Sequence, residues 1–221
     1  MKNSHKGTWL MTTGLLLVVA ALLLTGYNLW DEERANKAVQ EILSQMPVKE
    51  LPLIPQESIT DSEEIEIPDY ILKPEMEMPT SEIDGNAYIG TLEIPSLGLS
   101  LPIMSEWSYA KLKISPCRYS GSVYLDNIVI AGHSYRKHFK SLNSLELGAK
   151  LIFTDMDGNE FHYTVEATEV LKPTDVEEMT GGDWDMTLFT CTFDSRSRFA
   201  LRCERIDGER SIGVAMRQYP F

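Results

Sequence analysis

Three side chains of this sequence could do covalent chemistry together. Cys191 ends the run Thr187-Leu188-Phe189-Thr190-Cys191, Arg198 follows seven residues later in Ser197-Arg198-Phe199-Ala200-Leu201, and His133 closes Ala131-Gly132-His133 far upstream. A thiolate needs a base or a positive neighbour to form near neutral pH. A tetrahedral intermediate needs something to hold its oxyanion. A nucleophile, a proton carrier and a fixed cation therefore suffice for acyl transfer through a thioester.

Local structure must bring them together. If residues 187–191 and 198–204 form a hairpin closed by 192–197, Cys191 and Arg198 oppose each other across the ladder and project to one side of the sheet. Alternation along the second strand then sends Arg198, Ala200 and Arg202 to one face and Phe199, Leu201 and Cys203 to the other. The second face reads as core, which makes Cys203 an inert buried thiol. Cys191 as another buried small hydrophobe is the competing reading, and its polar neighbours Thr190, Thr192, Asp194 and Ser195 weigh against it. His133 follows the β-branched run Ile128-Val129-Ile130 and a glycine, a position from which a ring can reach a groove, although histidines satisfied within a fold are common. His162 alternates with Phe161 and Tyr163 and is expected to face solvent, His138 lies in a basic segment expected to be exposed, and His5 lies near the N-terminus.

Cys117, Cys191 and Cys203 make an odd count, so at least one thiol has no partner within the chain. Cys117 sits in a loop-like Ile114-Ser115-Pro116-Cys117-Arg118, and no spacing rule supports a bridge from it to Cys203. Cys-x-x-Cys is absent from the sequence, and neither metal nor cofactor is expected.

The supporting elements read mainly as strands. Runs at 88–94, 99–104, 122–131, 150–154, 161–170, 187–191 and 198–204 are separated by turn signals, a density that implies an all-β barrel or sandwich. Asp155-Met156-Asp157-Gly158-Asn159-Glu160 lacks the full ligand pattern of a calcium loop and reads as a hairpin turn with Gly158 at positive φ. Short helical pieces are expected at 106–112, 138–145 and 174–179.

The N-terminal part is different. Residues 7–30 carry no charge, and these 24 residues as a helix reach roughly 36 Å, enough for a hydrocarbon layer of about 30 Å. Trp9, Tyr27 and Trp30 stand where amphipathic rings favour headgroups. The run is longer than the apolar region of a signal peptide and lacks a small-x-small end, so an uncleaved anchor is expected. Lys2 and Lys6 precede it and Asp31, Glu32 and Glu33 follow it, which leaves residues 1–6 in the cytoplasm and everything after Trp30 outside. Residues 31–46 keep a helical rhythm as a stalk, too short for a secure coiled coil. Residues 47–84 hold six prolines and eleven acidic residues against two lysines and read as an extended linker, with residues 65–72 as a segment that could fold back over the groove. The catalytic domain is then residues 85–221. The net charge of −13, about −15 without the two anchor lysines, excludes nucleic acid as a partner.

Taken in order, Ile130-Ala131-Gly132-His133, Phe139-Lys140-Ser141-Leu142, Leu147-Gly148-Ala149-Lys150, Thr187-Leu188-Phe189-Thr190-Cys191 and Arg198-Phe199-Ala200-Leu201 resemble the signatures of the sortases over roughly residues 85–207. The resemblance implies an eight-stranded sortase β-barrel with short helices on the outer face of a Gram-positive cell. It also implies cleavage of a Leu-Pro-x-Thr-Gly-like sorting signal after its threonine and transfer of the acyl group to an amine of a cell wall precursor or a pilin. Cys191 would attack, Arg198 would steady the oxyanion, His133 would move the protons, and Thr190 beside the nucleophile would touch substrate. No Asp-Pro-aromatic lid motif precedes the barrel region and no second apolar span follows it in this sequence, so anchoring of single surface proteins is expected over pilus assembly. The rivals are a cysteine peptidase that only hydrolyses and a tethered binding domain with no catalysis. An L,D-transpeptidase would place its histidine shortly before a Ser-x-Gly-Cys element, which this sequence lacks.

Overall fold

The computed structural model describes residues 4–46, 68–192 and 195–207. Among the described residues nine strands form one sheet: β1 (Ser81–Ile83), β2 (Asn86–Ile94), β3 (Leu99–Met104), β4 (Cys117–Ser120), β5 (Ile128–Ala131), β6 (Lys150–Asp155), β7 (Glu160–Leu171), β8 (Met186–Cys191) and β9 (Arg198–Arg205). Their order is β1-β2-β3-β4-β5-β8-β9-β7-β6, and β6 pairs back onto β2. Eight strands thus close a mixed β-barrel, and β1 adds to β2 outside the ring. Closure removes the open edges that a sheet of this length would otherwise expose. The β3–β4 and β5–β8 pairs are parallel, and the other pairs are antiparallel.

Alternating apolar residues fill the barrel, as the first half of β7 illustrates: Phe161, Tyr163 and Val165 point into the core while Glu160, His162 and Thr164 do not. The expected turn between β6 and β7 is present, with Gly158 at φ 82°. Asp155 holds it by accepting from the backbone N–H groups of Asp157 and Asn159 at 2.9 and 2.8 Å.

Six of the seven expected strand runs coincide with strands, and the seventh is shorter than expected. Within 122–131 only β5 is extended, because Ser122 caps a 3₁₀ turn at Val123–Leu125 and Asp126 adopts a left-handed conformation at φ 49°. Two strands were not legible. β1 lies inside the acidic stretch expected to be linker, and β4 is four residues long with Arg118 and Ser120 diluting its apolar signal. Cys117, expected in a loop, is a buried strand residue. Cys117 and Cys203 are both free, and they belong to separate apolar clusters.

One helix, α1 (Ser4–Gln45), runs unbroken from the apolar segment into the stalk. Its apolar part is exposed along its length and long enough to cross a membrane. The stalk packs on the barrel beside β3. Ala35, Val39 and Ile42, at three and four residue spacing, bury against it, Ile42 joining Ile83, Tyr88, Met104 and Cys117. The face that could have served a coiled coil is therefore used within the chain.

The linker expected over 47–84 lies outside the described residues as far as 67. From Pro68 onward the chain lies on the barrel: α2 (Asp69–Leu72) stacks Tyr70 on Tyr124 at 4.8 Å, and Met78 is only 4% exposed. Sparse aromatic and methionine anchors achieve this without any periodicity. Of the segment 65–72, the described part packs against Tyr124 and Phe161 and lines no cavity around Cys191.

Candidate active site

Cys191 and Arg198 are direct partners in the β8–β9 ladder, as the hairpin register requires. Thr192 pins the turn between them. Its N–H donates to the Ser197 carbonyl at 3.0 Å, and its hydroxyl accepts from the Ser197 N–H at 3.1 Å. The Arg198 guanidinium is partly exposed and donates to the Ser197 carbonyl at 3.1 Å.

His133 arrives from the other side of β8. β5 runs parallel to β8 with Ala131 opposite Phe189, and the Gly132 N–H donates to the Phe189 carbonyl at 3.0 Å. Two residues beyond that paired position the chains reach His133 and Cys191. Gly132 is needed because a Cβ there would stand 2.2 Å from the buried ring of Phe139. The loop after His133 is closed by the Phe139 N–H donating to the His133 carbonyl at 3.2 Å. Burial pulls the His133 pKa below the usual histidine value; the Asp31 carboxylate opposes that shift and Lys113 adds to it. The neutral imidazole is thus favoured at rest.

Thr190 is 5% exposed, and its hydroxyl has no hydrogen-bond partner among the described residues. It lies with Cys191 at the junction of two depressions. One is lined by Trp107, Tyr109, Tyr119, Val176 and Phe189 together with Cys191 and Arg198. Its rings form a continuous wall, with centroids 5.3 Å apart for Trp107 and Tyr119 and 5.4 Å for Tyr119 and Phe189. The other depression is more polar, with Ser134, Lys140, Asn143 and Thr192 around the same sulfur. The arrangement gives Cys191 an apolar wall on one side, wide enough for an extended chain, and a separate polar approach on the other.

The four expected site residues therefore gather at one end of three adjacent strands. Other features were missed. Trp107, Tyr109 and Tyr119 of the aromatic wall come from segments without strand periodicity, and only Phe189 comes from a strand that the sequence shows. His138, expected to be exposed, is fully buried because the loop after His133 turns back on itself, and its pKa is pushed down to about 4 by burial and by nearby His133. Arg202, expected on an outward face, is 2% exposed. The segment carrying α3 (Val176–Thr180) covers it, and its guanidinium donates to Glu169 at 2.8 Å, to the Thr187 hydroxyl at 3.0 Å and to the Met179 carbonyl at 3.0 Å. Arg202 thereby staples one wall of the groove to the barrel.

Known proteins share this fold. Residues 92–206 match the family model described as "Sortase domain". Sortase A of Bacillus anthracis is 27% identical over 184 residues, covering 80% of this chain and 84% of that protein. Among solved structures, sortase A from Corynebacterium diphtheriae aligns with a TM-score of 0.51 at 25% identity, over 56% of this chain and 62% of that one. Sortase C1 from Streptococcus agalactiae aligns with a TM-score of 0.50 at 25% identity, over 57% of this chain and 72% of that one. The first of these structural alignments spans under two thirds of the matched chain. Because the family model covers more than half of the residues, the chain belongs to the sortase family of cysteine transpeptidases.

Proposed function

We propose that this chain is a membrane-anchored sortase that cleaves a Leu-Pro-x-Thr-Gly-like sorting signal and joins the new carboxyl group to an amine. Residues 7–30 hold it in the membrane with residues 1–6 in the cytoplasm and the barrel outside the cell. Its clients are surface proteins with a C-terminal sorting signal, and the accepting amine belongs to a cell wall precursor or a pilin lysine. The observation that carries the reading is the convergence of Cys191, Arg198 and His133 on the ends of β8, β9 and β5 beside an apolar groove.

In this reaction the Cys191 thiol gives its proton to the resting, neutral His133, and the sulfur attacks the threonine carbonyl. Arg198 donates to the oxyanion that develops. The imidazolium returns the proton to the departing amine as the carbon–nitrogen bond breaks, leaving a thioester on Cys191. The incoming amine loses a proton to His133 as it attacks, and the thiol is released. Thr190 lines both depressions beside this path and is the residue assigned to substrate contact.

The test is to incubate the full chain in detergent with a peptide bearing the signal, with and without an added amine, and to weigh the products. A joined product that depends on the amine supports the proposal. Hydrolysis alone at every amine concentration would make the chain a peptidase and overturn the transfer step.

A further inference from the structure

The loop that carries His133 is fastened to α1 at the first residues beyond the apolar run. Asp31 accepts a hydrogen bond from the Tyr135 hydroxyl, and Glu32 accepts one from the Arg136 backbone N–H. Tyr135 stacks flat on the His133 ring, centroids 3.8 Å apart at 18°. Asp31 is 8% exposed and is itself held by Arg34 at 3.0 Å. A carboxylate taken so far out of water is costly unless its partners repay it. Its chief partner here is the phenol stacked on the histidine.

We propose that Asp31 and Tyr135 are positioning residues for His133, so that the end of the anchor helix is a working part of the active site and not merely a tether. This rests on the reading of His133 as the proton carrier. The physical case has three parts. An imidazole that must both give and take a proton has to keep one orientation through the cycle. Nδ1 of His133 is buried with no hydrogen-bond partner among the described residues, so no hydrogen bond there fixes the ring. Stacking on Tyr135 then sets the plane of the ring, and the phenol is fixed in turn by Asp31.

The same arrangement places a negative charge near a histidine that must become cationic. Groups around the ring are Asp31 and Arg34 from α1, Lys113 from the 3₁₀ turn at Lys111–Lys113, and Tyr135 and His138 from its own loop. Asp31 alone among the charges acting directly on His133 raises its pKa, against burial and Lys113. The Tyr135 contact holds the Asp31 carboxyl below its ordinary value, so it stays ionised across the working range.

The experiment uses the full chain in nanodiscs with Asp31→Asn, Asp31→Glu, Tyr135→Phe and, as a charge control on the exposed side of the helix, Glu33→Gln. Two quantities are measured: the kinetics of signal cleavage, and the ring titration of His133 by NMR, assigned with His133→Asn. Asp31→Asn keeps an oxygen that can accept from Tyr135 but removes the charge. It should move the His133 midpoint to lower pH and cut kcat by about tenfold to a hundredfold with KM little changed. Tyr135→Phe should cut kcat similarly, Asp31→Glu should restore much of both properties, and Glu33→Gln should match the wild type.

Unchanged kcat and midpoint in Asp31→Asn would overturn the proposal. So would a rise in activity, which would mark the contact as inhibitory, or an equal loss in all Asp31 variants that follows thermal stability with no change in the titration. Failure of the wild type itself to form an acyl-enzyme at Cys191 would instead sink the functional reading beneath it.

Discussion

Thr187 and Arg202 face each other across the β8–β9 ladder, and the buried guanidinium donates to the threonine hydroxyl at 3.0 Å. Four residues before Arg202 on the same strand, Arg198 opens instead onto the groove. Two arginines of one strand face thus have different surroundings, one buried under α3 and one at the groove beside Cys191. Arg202→Lys keeps a charge but loses the planar fork that reaches Glu169, Thr187 and the α3 carbonyls together. It should cost about 1 to 3 kcal/mol of stability and raise KM by loosening the groove wall. Thermal melts and initial-rate kinetics check both. An unaltered melting temperature would show that the staple carries no energy.

Arg198→Lys should behave differently. The fold should hold, since this guanidinium is partly exposed, while kcat/KM should fall by about 10² to 10³, as for a removed oxyanion donor. Arg196→Lys, in the turn, is the control and should retain near wild-type rates. Full activity in Arg198→Lys would move the oxyanion donor elsewhere.

The division between these arginines was half legible. The seven-residue step from Cys191 to Arg198 with a turn between them fixes the register, because directly opposed residues share a side. Alternation places Arg202 on the face of Arg198, as found, but does not say what lies on that face, which the segment carrying α3 covers. His138 is a similar case: basic neighbours suggested exposure, but the loop that presents His133 folds back and encloses it. Both concern tertiary cover, which a local pattern does not encode. By contrast, the stalk face of Ala35, Val39 and Ile42 was visible as a stripe, and only its partner was missing.

His138 provides a pH test. Its folded pKa, about 4, lies below the ordinary value, so stability gained from the neutral ring is complete above about pH 6.5 and is lost as pH falls toward 4. The loss should amount to about 3 kcal/mol across that window. Because neither ring nitrogen has a partner among the described residues, His138→Phe should fold and flatten this part of the profile. Urea unfolding of both proteins at several pH values between 4 and 7 checks it. Parallel curves would mean that other groups control the acid limb.

The packing of residues 31–46 and 68–84 bears on truncation. A chain that begins at Gly85 loses Val39, Ile42, Met78 and Ile83, each buried on the barrel. At about 1.5 to 3 kcal/mol for each large apolar side chain, their sum rivals the total stability of an ordinary domain. Such a chain should melt far below one that begins at Tyr27, or fail to fold. Equal melting temperatures would show that these contacts contribute little.

The central claim is that Cys191 forms a thioester with the substrate, and intact-protein mass measurement after brief exposure to a sorting-signal peptide tests it most directly. The expected result is one acyl adduct that maps to Cys191, disappears with hydroxylamine, is consumed when an amine is added and never forms in Cys191→Ala. An adduct that persists in Cys191→Ala, or turnover in that variant, would contradict the account.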